Sequence, residues 1–351
     1  MENDTLRVHP NLRDPDRDRV LDWLTALLPL LLISVIYYRG QALALQVTAV
    51  GGWLMAALLL GWATKTPWTE LRVAPAVVGG LLAAFCLPAG APWWLAALFG
   101  GVVAAVQTAP ALIGRVKPDW RLAQPPVHPV LLAYLVVRIA FPAHFTDYTV
   151  PAQFIPVDGV AGATPLAALR GGEAADLWQL LFGIHAGTIG EGCVAAILLG
   201  VLYLVLRRRV RLIAPACLLA TVALLSGILW GAVGYALYAV LAGGVLLAAL
   251  LFADKATAPA SPRDQIVAGV VAGVITVLVR RFGGWAEGAA VGVLAAQALV
   301  PLLPFLYKLC RIVWTRAIAV GARWLWTRSC RGAKALFARI KEILRKRKNK
   351  C

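Results

Sequence analysis

Charge is what this chain has least of. Only 15% of its 351 residues are charged, 60% are hydrophobic, and the mean hydropathy is +0.76. Such a composition cannot clothe a soluble globular domain, so a polytopic membrane protein is expected. Acidic residues are the scarcest, 17 against 34 Lys and Arg, which leaves a formal net charge of +17. That excess would suit a nucleic-acid binder if it covered a domain. Instead, fourteen basic residues and Glu342 alone lie between Lys308 and Cys351, so +13 of the +17 sits in a tail and no nucleic-acid partner is expected.

Metal-ligand spacing is also lacking. Cys86, Cys193, Cys217, Cys310, Cys330 and Cys351 form no Cys-x-x-Cys pair, and several fall in apolar runs where cysteine acts as a small hydrophobe. His128 and His185 have no ligand spacing either, so no zinc or iron–sulfur site is expected. The first twenty residues, with Asp14, Asp16 and Asp18 among Arg13, Arg17 and Arg19, lack the basic start and small-residue cleavage site of a signal peptide. A retained first span is therefore expected.

What the chain does have is long apolar runs. A span needs roughly 20 apolar residues, fewer where neighbours shield a broken helix. Ten segments qualify: 21–38, 42–62, 73–87, 93–113, 127–141, 191–206, 212–229, 234–253, 266–279 and 285–307. Loop charge orients them, because Lys and Arg collect on the cytoplasmic side. With the N-terminus inside, the cytoplasmic loops hold eleven basic residues and the external loops four. Both termini then lie inside, and residues 142–190 lie outside. The expected organisation is a segment 1–20, a five-span half 21–141, an external loop 142–190, a second five-span half 191–307 and the basic tail 308–351. The two halves start from opposite faces, so any repeat would be inverted. The proline-bearing connections Leu87 to Pro92 and Pro259 to Pro262 occupy matching places in them.

The external loop carries the one polar, glycine-rich stretch suited to a specific chemistry, Asp158-Gly159-Val160-Ala161-Gly162-Ala163-Thr164-Pro165-Leu166. A hydroxyl residue behind two small residues and ahead of proline reads as a tight turn with Thr164 presented at its tip.

This stretch, together with Ala91-Pro92-Trp93-Trp94-Leu95, Glu191 to Tyr203 and above all Pro262 through Arg280-Arg281-Phe282-Gly283-Gly284-Trp285-Ala286-Glu287-Gly288, resembles one family up to about Tyr307. It is the family of the D subunit of the Rnf electron-transport complex, which also contains the B subunit of the sodium-pumping NADH:quinone reductase. The resemblance implies a redox subunit of an ion-translocating ferredoxin:NAD oxidoreductase in the bacterial cytoplasmic (inner) membrane. It implies FMN joined by phosphoester to Thr164 on the external, periplasmic side by a separate flavin transferase. Asp158, Gly162 and Ala163 would form the sequence that the transferase recognises. It further implies other Rnf-type subunits as partners, and a second, noncovalent flavin (riboflavin) among the helices. The string Gly183 to Gly192 is a contributor to that second site, with Gly187 allowing close backbone approach and Glu191 opening the sixth helix, or else a re-entrant turn packed in protein.

The flavin would carry the chemistry, so no side chain need be a catalytic acid or base. Arg280 and Arg281 lie at an external membrane edge, against the charge rule. They are expected to face something anionic, either a flavin phosphate or Glu287 and lipid phosphate. Arg138, within the fifth span, needs Asp147 or a backbone carbonyl as partner. Three family positions differ. Ala161 stands where relatives have Ser or Thr, Val73-Ala74-Pro75-Ala76 where they have Asp-Gly-Ser-Ala, and Val127-His128-Pro129 where they have Phe-Asn-Pro. The family's Asp near the eighth span survives as Asp254.

Beyond Tyr307 apolar and basic residues alternate at helical spacing, which reads as an interfacial amphipathic helix holding anionic lipid. Two other function classes remain: a flavinylated subunit exporting electrons without pumping, and a secondary solute transporter.

Overall fold

The computed structural model describes residues 15–64, 74–116, 127–145, 148, 177–182, 187–230, 233–242, 244–283 and 288–302. Among the described residues there is no strand, only the isolated bridges Pro88–Thr188 and Val210–Asp254. In an apolar solvent each backbone group must be satisfied close to home, and runs of Leu, Ala and Val do so as helices. They are α1 (Pro15–Ala63), α2 (Ala74–Phe85), α3 (Trp93–Val116), α4 (Pro129–Ala140), α5 (Leu177–Phe182), α6 (Val194–Leu206), α7 (Ile213–Trp230), α8 (Val233–Leu241), α9 (Val245–Phe252), α10 (Pro262–Phe282) and α11 (Gly288–Leu299). These belong to the first of two units, Met1–Val300; the second is Pro301–Cys351.

Each of the ten apolar segments overlaps a helix, residues 285–287 and 303–307 of the last lying outside the described residues, and there are three differences of detail. The first two share α1, which departs from helical geometry at Arg39 (φ 49, ψ −131). A straight helix of 49 residues would run about 70 Å, more than twice the ~30 Å of a bilayer's hydrocarbon, so a helix of this length in a bilayer calls for a turn within it. Gln46 Nε2 donates to Ser34 Oγ across it (2.7 Å). The segment 191–206 becomes helical only at Val194. The segment 234–253 is broken into α8 and α9, bent by 59° around Gly244, whose φ of +67 favours a residue without a β-carbon. Among the described residues, three helical stretches are long and apolar enough to cross a membrane, Asp18–Ala63, Ile213–Trp230 and Pro262–Phe282. The bent pair would make a fourth.

Small residues set the packing. α1 lies along α3 so closely that a β-carbon on Gly100 would sit 1.9 Å from Ala49 O. In the second half α7 lies along α10, with Gly269 against Ala214 O at 2.4 Å by the same measure. Without a hydrophobic drive between helices in lipid, such backbone approach is what makes association favourable. α3 also meets α4 as α10 meets α11, and the two groups join where α1 touches α6 and α4 touches α11.

Ion pairs close one end. Asp22 of α1, with a side chain 4% exposed, accepts from Arg207 Nε (2.9 Å) and Arg209 Nε (2.5 Å), and also from Tyr203 OH (3.2 Å). Arg19 pairs with Asp254 at 2.5 Å. The segments after α6 and α9 are knit together where Arg211 N donates to Ala253 O (2.8 Å) and Arg211 Nη1 to the carbonyls of Ala258 and Pro259.

Candidate functional site

The site forms where irregular backbone is buried, which is tolerated at membrane depth only if its polar groups find partners. After α2, residues 86–92 cross the segment that precedes α6. Ile189 N donates to Leu87 O (2.9 Å) and Gly190 N to Phe85 O (2.8 Å). Only glycine fits at 190, since a β-carbon there would lie 2.7 Å from Phe85 O. The crossing buries Gly187, Thr188, Ile189 and Gly190 and sets Glu191, also buried, at the entry to α6.

Glu191 and Arg280 meet the broken helix from two sides. The Arg280 side chain is buried and donates to Ala239 O (2.6 Å) and Ala242 O (2.9 Å), carbonyls at the C-terminal end of α8. Glu191 reaches the opposite end: a β-carbon on Gly244, the N-cap of α9, would lie 2.7 Å from its Oε1. A cation thus faces the negative end of one half-helix, and a carboxylate the positive end of the other. The two charges also act on each other.

Beside Glu191 opens a small, partly open cavity. Its walls are Cys86, Leu131 and Tyr134 of α4, Thr188 and Glu191, Gly244 with Leu247, Ala248 and Leu251 of α9, and Ala289 and Ala290 of α11. Both halves of the chain contribute. Among the described residues the buried Tyr134 OH has no hydrogen-bond partner, and neither does Tyr38 OH, which lies near Gly192. Thr188 Oγ1 is buried on the same wall, with the Glu191 carboxylate as its polar neighbour. Buried hydroxyls are seldom left short of partners, so the Tyr134 hydroxyl on the cavity wall fits a ligand with a hydrogen-bonding edge. The wall of Gly, Ala and Leu fits an apolar face. A flavin ring has both. No uncommitted cation among the described residues lines the cavity, so the wall suits a neutral ring and disfavours a phosphate.

Of the residues expected at a site, Glu191 and Arg280 are brought together around this break, while Gly187 is buried in the crossing that precedes α6. Arg281, next in sequence, points elsewhere: it is exposed, with its guanidinium over the Phe282 ring at 5.8 Å. Arg138 takes the backbone option, donating to Phe145 O (2.9 Å) and lying 5.0 Å over that ring. Asp158, Gly162, Ala163 and Thr164 lie outside the described residues, as do Asp147 and Glu287. Sequence reasoning missed Tyr134 and Tyr38, which stand in apolar runs with nothing local to distinguish them. Thr188 sits inside the glycine string and could have been noticed. Among the described residues no group of three His, Cys, Asp or Glu could hold a metal ion.

Residues 7–309 match the model of the NQR2, RnfD, RnfE family. The chain is 32% identical over 289 residues to the D subunit of the Na+-translocating ferredoxin:NAD+ oxidoreductase complex of Acetobacterium woodii, covering 80% of this chain and 85% of that one. It is 29% identical over 307 residues to the D subunit of the ion-translocating oxidoreductase complex of Escherichia coli (76% and 85% covered). To the protein of the same name in Salmonella arizonae it is 26% identical over 336 residues (84% and 93% covered).

Proposed function

The chain belongs to the NQR2, RnfD, RnfE family, and from that premise we propose that it is the D-type membrane subunit of an ion-translocating ferredoxin:NAD oxidoreductase. It works among other Rnf-type subunits, which supply the ferredoxin and nicotinamide sites that this sequence lacks. In this reading ten spans form two inverted five-span halves in the cytoplasmic membrane, with both termini inside and the loop 142–190 outside. The packing of α1 on α3 and of α7 on α10 supports it.

FMN is carried as a phosphoester on Thr164, placed there by a flavin transferase that reads Asp158, Gly162 and Ala163. A second flavin, in the phosphate-free riboflavin form, occupies the cavity between the halves. The observation that carries this second part is the unpartnered Tyr134 hydroxyl, beside that of Thr188, on the cavity wall. Flavin accepts and releases electrons singly or in pairs. The protein's part is to hold the ring. Tyr134 and Thr188 hydrogen-bond its polar edge, Ala248, Ala289 and Ala290 admit its face, and Glu191 repels a phosphate.

Mass spectrometry of the peptide containing Thr164, from protein co-expressed with its transferase, tests the first flavin. An unmodified peptide overturns it. Denaturing extraction tests the second and should release one riboflavin per chain, with FMN remaining attached. Ion dependence of ferredoxin:NAD activity in vesicles separates pumping from electron export alone.

A further inference from the structure

One end of the molecule holds more positive charge than its acids can answer. Arg207, Arg208 and Arg209 follow α6 in succession, and Lys255 lies on the paired segment after α9. Arg207 and Arg209 share the buried carboxylate of Asp22, each through Nε, so one negative charge serves two guanidiniums. Asp18 acts on Arg207 only weakly, from beyond pairing distance. Asp254 is occupied by Arg19, and Arg211 is turned to backbone carbonyls. Arg208 is exposed, and its side chain makes no ion pair among the described residues. Lys255 is exposed as well, and its ammonium donates to the Arg208 carbonyl, a neutral group. Among the described residues, four cations therefore face one paired carboxylate.

Backbone geometry points the same way. Arg208 has φ +54, a conformation that a β-carbon disfavours and that glycine would adopt freely. The arginine there carries a backbone cost, and its side chain is exposed.

The ledge borders apolar surface. Leu206, immediately before it, is 73% exposed, Leu202 one turn earlier 54%, and Ile213, at the start of α7, 40%. Guanidiniums engaged through Nε keep their terminal nitrogens for a second anion, in the fork geometry that phosphate oxygens match. We propose that Arg207, Arg208, Arg209 and Lys255 bind the phosphodiester headgroup of an anionic phospholipid, with its acyl chains against Leu202, Leu206 and Ile213. The lipid supplies the negative charge that the ledge lacks and ties the segment after α6 to the segment after α9. A free phosphate would gain nothing from the exposed leucines. This site is separate from the flavin reading and does not depend on it.

The test uses the full chain in nanodiscs of mixed phosphatidylglycerol and phosphatidylcholine, released into native mass spectrometry. Wild type should retain one phosphatidylglycerol that the R208Q/K255Q double variant loses. This variant leaves the Asp22 pairs in place, and the basic tail, common to both chains, cancels from the difference. R208G gives a second measurement, because it removes the side chain while relieving the backbone, and retention should fall there too. Equal retention of phosphatidylglycerol by wild type and variants overturns the proposal. So does retention of phosphatidylcholine as strong as that of phosphatidylglycerol in wild type.

Discussion

Gly244 and Glu191 stand so close that the carboxylate occupies the place a side chain would need: a β-carbon on Gly244 would lie 2.7 Å from Glu191 Oε1. Gly244→Ala therefore has two costs, a positive φ and a displaced buried carboxylate. The backbone part alone is about 1 kcal/mol. We expect a lowered melting temperature in detergent, together with weaker retention of the extractable flavin. Unchanged values of both would show that the break tolerates a side chain.

Arg280 answers the exposed carbonyls of α8 and the charge of Glu191 at once. Arg280→Gln removes charge-assisted hydrogen bonds to the Ala239 and Ala242 carbonyls and the more distant attraction to Glu191, with which it forms no ion pair, and should cost about 2–3 kcal/mol. Glu191→Gln in the same chain should recover part of the loss, and thermal melts of the four proteins give the coupling directly. Strictly additive losses would mean that the two side chains do not depend on each other.

Asp22 is the shared acceptor of two arginines and a tyrosine. Asp22→Asn removes its charge, and because Arg207 and Arg209 reach solvent we expect destabilisation of only about 1 kcal/mol. Part of the effect should survive high salt, because the carboxylate, unlike its partners, is buried. A loss that vanishes at high ionic strength would place the pair in solvent.

Tyr134 offers the opposite case. Its hydroxyl has no partner among the described residues, so Tyr134→Phe should leave the melting temperature of flavin-depleted protein unchanged or raised. With flavin present it should weaken retention by about one hydrogen bond, roughly 1 kcal/mol or fivefold. Equal flavin retention by both proteins would mean that the hydroxyl does not touch the ligand.

Thr164→Val should abolish flavin fluorescence in the denatured polypeptide band while leaving the extractable flavin in place. Fluorescence surviving in the band would move the attachment to another residue.

Helix positions were legible wherever the apolar runs ended in polar residues. Segment 212–229 became α7, Ile213–Trp230, because Arg211 bounds it in sequence. The break at Gly244 was not legible, since Leu241 and Val245 on either side are equally apolar and hydropathy reports burial without reporting continuity. Arg280 stood out in sequence as a charge on the wrong side of the membrane. Its partners could not be read there, being carbonyls 38 and 41 residues away on another helix. Arg138 was easier, because a nearby carbonyl was one of two local choices and Phe145 provides it. The cavity that Tyr134 and Thr188 share exists only once several separate segments meet, and no local pattern encodes that.

The crossing of residues 86–92 with 187–193 also bears on synthesis. The carbonyls of Phe85 and Leu87 leave the ribosome about a hundred residues before the amides of Gly190 and Ile189 that will satisfy them. At ~5–20 residues per second, that is a wait on the order of 5–20 s. During it the first half must sit in, or beside, the bilayer with polar backbone unmet. Until then water or another backbone partner has to satisfy these carbonyls, and we expect a chain cut short before Ile189 to be degraded faster than the full chain.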